Sequence, residues 1–550
     1  EPLAIRDIKR FIIDNAPAVE TSAATREKAL KVAIIGAGPG GMAAALELAR
    51  AGVVVEIFEQ HAYAGGMVGG VVPEYRLPQA VFDRDFKPLT DLGVRVHYNK
   101  QAGVDLQLSA LRSEGFDAIV IAAGAQVGRK LGLEGESCDG VLDALSFLRQ
   151  SREREPVVIG RRVGIIGAGD TAMDCARTAH RYPGTEATLI YRRSIDQMPA
   201  DREEVEQLLE EGIEVLEFAG PARLVVEDGK LQALTCRRTT YTGDRDASGR
   251  KIPHEVPDSE FDVPLDTLIL AISQHALLDF FEDEPIAVND RGYIDVDPET
   301  FETSVPGIYA GGDVVNMGPA SIVKAAAAGK AIANSILGRQ TGKAGENMLL
   351  PDVPSVLRHR SHRSRRTVAP TAPVESRDRD TEVMLTYAEQ QAREEAERCL
   401  DCHTYCSICV GVCPNLALQT YQTDEPGKQS FQVAVIADLC NECGNCTTFC
   451  PTSGRPYHDK PRLYLNREDF EEQNDNAFMV FNENGSWAMD ARFDGRSHHV
   501  DMDGERDSSP RTQTMVTLLR GLQRSTTFLP TALPTEIAAA GKIRHPGYEE

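Results

Sequence analysis

Residues 31–59 read KVAIIGAGPGGMAAALELARAGVVVEIFE. An apolar strand, Lys31–Ile35, runs into the glycine turn Gly36-Ala37-Gly38-Pro39-Gly40-Gly41. A helix is expected over roughly Met42–Ala51, and a second strand, Val53–Phe58, ends at Glu59. The glycines let the backbone turn tightly and approach a pyrophosphate at the helix N-terminus, where free N–H groups and the dipole favour an anion. Glu59 follows Gly41 by 18 residues, where a carboxylate accepts hydrogen bonds from a ribose diol. A glycine fingerprint alone matches many loops. Here strand, helix and acid all fall in place, so the stretch predicts a Rossmann-like α/β fold.

The unit recurs. Strand Arg162–Ile166 leads into Gly167-Ala168-Gly169-Asp170-Thr171-Ala172, which opens a helix running through His180. The next strand, Ala187–Tyr191, ends not on an acid but on Arg192-Arg193. An acid would repel a 2′-phosphate, whereas guanidinium groups bind it through paired, charge-assisted hydrogen bonds. The second unit is therefore expected to prefer NADP(H) over NAD(H); the bland alternative is a solvated strand end. Further on, Gly307-Ile308-Tyr309-Ala310-Gly311-Gly312-Asp313 precedes an Ala-rich helix from about Ala320 to Leu337, setting a carboxylate beside a ligand. Phe116–Gly124 and Thr267–Ile272 read as further apolar strands, the first closing on the small pair Ala123-Gly124.

Eight cysteines between Cys402 and Cys450 form two runs, each closing on Cys-Pro. The second, Cys440-x2-Cys443-x2-Cys446-x3-Cys450-Pro451, has the spacing by which bacterial-type ferredoxins hold a 4Fe-4S cluster. The first is Cys402-x3-Cys406-x2-Cys409-x3-Cys413-Pro414. In paired runs the cysteine before proline ligates the other cluster. One expected cluster therefore takes Cys440, Cys443, Cys446 and Cys413, and the other takes Cys406, Cys409, Cys450 and Cys402. Cys399 stands as the alternative to Cys402, whose x3 gap departs from the usual x2. Disulfides would need an oxidising compartment, yet no signal peptide is seen. Zinc sites rarely show two Cys-x3-Cys-Pro endings. Cys138, Cys175 and Cys236 lack partners at ligand spacing and read as small core residues.

A chain of 550 residues suggests about three or four domains. The net charge of −24 argues against nucleic acid as partner. No apolar stretch approaches the roughly 20 residues that span a bilayer, and a cytoplasmic protein is expected. The chain opens on Glu-Pro-Leu-Ala-Ile-Arg without Met, as a processed chain or a segment of a longer one would.

The ordered set of GAGPGG, Glu59, Tyr75-Arg76-Leu77-Pro78, Ala122-Ala123-Gly124, GAGDTAMD, Tyr191-Arg192-Arg193 and Gly311-Gly312-Asp313 resembles the glutamate synthase small-subunit family over about residues 1–340. Its relatives include the flavin modules of dihydropyrimidine dehydrogenase and of electron-bifurcating transhydrogenases. The resemblance implies the two-domain glutathione-reductase-type fold, with FAD in the first domain and NADPH in the second. It implies FAD at Gly36, Gly38, Gly40, Gly41, Glu59, Gly66, Arg76, Ala123, Gly124, Gly312, Asp313 and Ser321, with Asp313 on the ribityl chain. It implies NADPH at Gly167, Gly169, Asp170, Thr171, Ala172, Arg192 and Arg193.

There are departures. The family usually carries its cluster domain ahead of the flavin domain. Here Arg398-Cys399-Leu400-Asp401-Cys402 looks like that cluster opening moved to the C-terminal side. This order resembles the C-terminal part of proteins assigned as selenate reductase subunits, which accompany molybdenum hydroxylases. Ser273 stands where the family tends to have glycine. Disulfide-reducing enzymes of this fold carry a Cys-x4-Cys beside the flavin, and residues 61–80 contain no cysteine.

The expected organisation is a lead-in (1–30), a discontinuous FAD domain (31–148 and 300–345) and an NADPH domain (149–299). A linker (346–383) with the basic run Arg358–Arg366, an α+β ferredoxin-like domain holding two 4Fe-4S clusters (384–465) and an extension or docking segment (466–550) follow. No acid–base pair for a separate substrate is seen. The expected function is an oxidoreductase passing electrons from NADPH through FAD to two clusters, and on to a larger redox complex with a molybdenum-hydroxylase-type or other catalytic subunit, or in reverse. The rivals are a self-contained flavin reductase and a non-catalytic assembly subunit.

Overall fold

Alternating helices and continuous apolar strands call for parallel sheets covered on both faces. The computed structural model describes residues 3–17, 30–246, 250–281, 284–315, 321–338, 364–399, 406–423, 431–450, 454–483, 486–501 and 509–525. The chain forms two compact units. One comprises Lys9–Thr341 with Val368–Ala388, the other Glu1–Ile8, Gly342–Thr367 and Glu389–Glu550.

In the first unit a five-stranded parallel sheet runs in the order Ile308–Ala310, Ala118–Ile121, Lys31–Ile35, Val54–Phe58, Arg95–His97. Val32, Ala33 and Ile34 are fully buried, as a strand covered on both faces requires. Helix Pro39–Arg50 begins earlier than expected because proline is preset for the first helical turn. Helix Ile322–Ile336 packs on it so closely that a Cβ at Gly329 would lie 2.1 Å from the Gly40 carbonyl oxygen. A second parallel sheet has the order Val141–Asp143, Thr267–Leu270, Arg162–Ile166, Glu186–Ile190, Glu214–Leu216. An antiparallel three-stranded sheet follows, made of Ala219–Glu227, Lys230–Arg245 and Lys251–Pro264.

Two expected boundaries move. Val141–Asp143 pairs in the second sheet, so the first domain ends before 148. Ala276, Phe281, Ile286 and Ile294 share a core with Ile119 and Ile308, so that domain resumes before 300. A three-residue strand and irregular loops carry too little periodicity to be placed from sequence.

The expected linker is a strap over part of its length. Val368–Ala388 belongs to the first unit. The Val383 N–H donates to the Tyr75 carbonyl at 2.9 Å, and Arg377 reaches Glu211 at 3.4 Å. Arg177, with no exposed side-chain surface, donates to Glu204 at 2.6 Å and to Glu211 at 2.8 Å, and Arg181 donates to Glu211 at 2.7 Å. Arg76 pairs with Asp174 at 2.8 Å and Glu204 at 3.2 Å. Burial alone would raise the Glu211 carboxyl, but hydrogen bonds from Arg181 and Arg177 outweigh it and hold it at about 2. Glu211→Gln leaves buried guanidinium groups without their carboxylate, which is expected to cost roughly 3–5 kcal/mol in urea unfolding. The group's pKa is depressed in the fold, so its contribution is full above the ordinary value of 4.5 and fades as pH falls toward about 2. The stability gap between the two proteins should close over that window.

The second unit holds a six-stranded sheet in the order Leu418–Gln422, Phe431–Ile436, Arg462–Leu463, Ala477–Glu483, Ser486–Phe493, Arg496–Asp501. The last three strands form an antiparallel meander, and helix Pro510–Ser525 packs Met515, Leu518, Leu519 and Leu522 against Tyr421, Phe478 and Met489. The expected boundary at 465 therefore runs through one sheet, and the described part of 466–550 is built into it. At the last hairpin Asp494 and Gly495 both have positive φ, 50° and 72°, as the two-residue turn that matches strand twist demands. Among the described residues no helix is long and apolar enough to cross a membrane.

Candidate functional site

The first glycine turn forms as its sequence dictates. The Gly36 N–H donates to the Phe58 carbonyl at 2.8 Å, and a Cβ at Gly41 would sit 2.1 Å from the Gly36 oxygen. Gly38 caps the helix without a side chain, leaving first-turn N–H groups for a ligand. Glu59 is buried, and its carboxylate accepts from the Ala37 N–H at 2.8 Å and the His61 N–H at 2.9 Å, bracing the turn from behind.

A cavity of about 80 Å³ opens on this turn. Its lining brings together Gly36, Gly38, Gly40, Glu59, Gly66, Ala123, Gly124, Gly312, Asp313 and Ser321, residues spread over nearly 300 positions of sequence. A neighbouring cavity of about 180 Å³ shares Gly36, Glu59, Ala123 and Gly124 and adds Phe58 and Phe280. Burial pushes the Asp313 carboxyl upward. The Ser321 hydroxyl caps its helix by accepting from the Lys324 N–H at 3.2 Å. Gly41 is packed behind the turn. Arg76 is elsewhere, held by Asp174 and Glu204, so it braces the fold and does not line this cavity.

The second turn is built alike. Gly167 has φ 146°, and a Cβ there would lie 2.2 Å from the Ala271 oxygen. The cavity on it, about 550 Å³, is lined by Gly167, Gly169, Thr171, Arg192 and Arg193, together with Arg129, Lys130 and Arg250. Asp170 instead accepts from the Asp201 N–H at 2.9 Å, and Ala172 is buried in the core. The two arginines differ. Arg192 is exposed, while Arg193 is buried and donates to the Lys251 carbonyl at 2.8 Å and to Asp246 at 3.0 Å. Sequence reasoning missed Arg129, Lys130 and Arg250. The adjacent basic pair just after the Ala-Gly strand end was a usable signal for the first two, whereas nothing local marks Arg250.

A fourth cavity, about 490 Å³, takes lining from both glycine-turn halves: Met67, Val72 and Asp313 from one side, Thr171, Ser273 and Gln274 from the other. It contains no cysteine.

In the second unit the described parts of the two cysteine runs fold alike. Four-residue helices Ile408–Gly411 and Asn445–Thr448 carry Cys409 and Cys446, both buried. These two thiols share an apolar core with Leu418, Val433 and Val435, with Cys413 and Cys440 packed against it. Each cysteine that precedes proline accepts a backbone N–H from four residues on, Cys413 from Ala417 and Cys450 from Gly454, both at 3.3 Å. Burial, then the field of Cys406, pushes the Cys409 thiol up to about 11; burial also raises Cys440, with Cys413 and Cys446 adding to the shift. Cys443 is exposed. Cys399 follows helix Glu389–Glu397, and Cys402 lies outside the described residues. Among the described residues no three His, Cys, Asp or Glu side chains converge as on a single metal ion. A 4Fe-4S cage spreads its thiolates wider than one ion does, and every described candidate ligand is free of a disulfide.

The family model for pyridine nucleotide-disulphide oxidoreductases matches residues 30–329. The chain is 35% identical to the protein YgfK of Escherichia coli, over 85% of this chain and 44% of the relative. It is 40% identical to the NADP(+)-dependent formate dehydrogenase subunit beta of Moorella thermoacetica, over 61% and 51%. It is 35% identical to the glutamate synthase (NADPH) small chain of Escherichia coli, over 61% of this chain and 74% of that one. The chain thus spans about half the length of the first two relatives. Among solved structures, a variant of FprA from Mycobacterium tuberculosis has the same fold at 17% identity, with a TM-score of 0.50 over 56% of this chain and 84% of that one.

Proposed function

The chain belongs to the pyridine nucleotide-disulphide oxidoreductase family, among the relatives of the glutamate synthase small chain, and is an oxidoreductase; within that family we propose that it carries electrons between NADPH and a partner redox subunit by way of FAD and two 4Fe-4S clusters. The observation that carries this reading is the central cavity, where lining from the two glycine-turn domains meets. The first turn fits FAD: it has no room for a Cβ at Gly36 or Gly41, a buried carboxylate braces it, and Asp313 faces the cavity. The second turn opens on a cavity with five basic side chains, which suits a phosphorylated dinucleotide. FAD held at the first turn would supply the conversion between the two-electron chemistry of NADPH and the one-electron chemistry of iron–sulfur clusters.

This chain's residues do the rest. The glycine turns orient both dinucleotides by their pyrophosphates, and the paired cavities direct their reactive ends into one space. With no cysteine in that space, electrons have no dithiol to pass through, and the cysteine runs are the outlet. Cys440, Cys443, Cys446 and Cys413 would hold one cluster. Cys406, Cys409, Cys450 and either Cys402 or Cys399 would hold the other. Cys409 and Cys446 share one small core with Cys413 and Cys440 packed against it, which supports ligands contributed by both runs. The names of the Moorella and Escherichia relatives, a subunit and a small chain, support a larger complex, with a molybdenum-hydroxylase-type subunit as one candidate partner.

Anaerobically purified protein should contain about eight irons and one FAD per chain, and NADPH should bleach the flavin bands. Cys446→Ala should remove about four irons. Fully occupied, active protein with only four irons would show that one run holds no cluster, and flavin bands that NADPH leaves untouched would refute the nucleotide route.

A further inference from the structure

The 550 Å³ cavity on the second glycine turn has two distinct ends. Its inner end shares Arg129, Thr171, Ser273 and Gln274 with the central cavity. Its outer end holds Arg192, Arg193 and Arg250, none of which lines the central cavity. A dinucleotide whose reactive ring lies inward therefore carries its adenosine ribose outward, among these three arginines.

They are not equivalent. Both the Nε and an Nη of Arg193 are engaged, on the Lys251 carbonyl and on Asp246, and its side chain is only 7% exposed. Asp246 in turn accepts from the Arg250 N–H at 3.1 Å and lies 3.4 Å from its guanidinium. The same hairpin is stitched to the strand end at three more points. The Thr239 hydroxyl donates to the Arg192 carbonyl at 2.7 Å, the Tyr241 hydroxyl meets Ser194 at 2.8 Å, and the Lys251 N–H donates to Gln197 at 3.0 Å. Arg250 is thus carried to the cavity by a hairpin that Arg193 clasps in place.

Resting on the NADPH reading above, we propose that Arg192 and Arg250 together bind the 2′-phosphate of the nucleotide, while Arg193 is a positioning residue that anchors the Lys230–Pro264 hairpin through Asp246. A phosphate between two guanidinium groups from different elements receives charge-assisted bonds from two sides.

The test is the affinity of 2′,5′-ADP relative to 5′-AMP for the full chain, measured by calorimetry, a ratio that cancels everything the two ligands share. Arg192→Gln and Arg250→Gln should each lower the ratio about tenfold. Arg193→Lys should lower it as far as Arg193→Gln, because lysine keeps the charge but cannot make both clasp bonds. A ratio that survives Arg250→Gln, or equal loss of both ligands in that variant, overturns the assignment of Arg250. A ratio restored by Arg193→Lys makes Arg193 a direct phosphate ligand and overturns its positioning role. A wild-type ratio near one refutes the NADPH reading itself, and this division of labour with it.

Discussion

Gly41→Ala is expected to give a chain that purifies without flavin and unfolds at lower temperature than the parent. The added methyl would lie 2.1 Å from the Gly36 carbonyl oxygen and 3.1 Å from Ile34 Cγ2. Neither neighbour can yield. The Gly36 N–H is tied to Phe58, and Ile34 is a fully buried residue of the central strand. Relief requires the whole start of helix Pro39–Arg50 to move, which would open the turn that Glu59 braces at Ala37. Overpacking of this kind costs about 1–3 kcal/mol or more, and it falls where the pyrophosphate must be gripped. Gly38→Ala is the control. A Cβ there meets nothing closer than Gly66 at 4.0 Å, but it faces the flavin cavity. That variant should fold with unchanged apo stability and hold flavin weakly. Flavin per chain from the visible spectrum, with thermal unfolding of the apoprotein, reads both. A Gly41→Ala protein with full flavin content would mean that this turn is not the cradle.

The Lys31–Glu59 unit was legible because everything that specifies it lies within 30 residues: a continuous apolar strand, glycines at the turn and an acid at the next strand end. The cavity on that turn gathers ten of the residues named from sequence for FAD. What was not legible depends on distant partners. Arg76 looked like a cofactor contact, but Asp174, 98 positions away, holds its guanidinium. Arg193 looked like the twin of Arg192 until the hairpin brought Asp246 to it from 53 positions away. The strap at 368–388 overlaps the expected linker, 346–383, which read as one because proline, serine and arginine are frequent over about 350–380, yet Arg377 reaches the buried Glu211 carboxylate. In the tail, the dipeptide Asp494-Gly495 was a usable hairpin signal. Weak periodicity of the flanking runs hid it.

The strap also decides where the chain must be cut to ask whether the cysteine runs are the outlet. A protein ended after Ala388 is expected to keep FAD, to be bleached by NADPH and to reduce small dyes that reach the flavin, yet to lose essentially all reduction of its natural partner. The cut removes both cysteine runs while preserving the Val383 bond to Tyr75, the Leu385 bond to Pro370 and the Arg377 contact with Glu211. A cut at residue 380 would break the first two of these, and a loss of flavin there would reflect a damaged fold, not a missing wire. The comparison of the two lengths separates the effects. The longer protein should unfold near the parent's temperature, and the shorter one should fall below it. Partner reduction at the full rate by the protein ended at Ala388 would exclude the clusters as carriers. The central cavity would then have to serve as the place where a substrate meets the flavin directly.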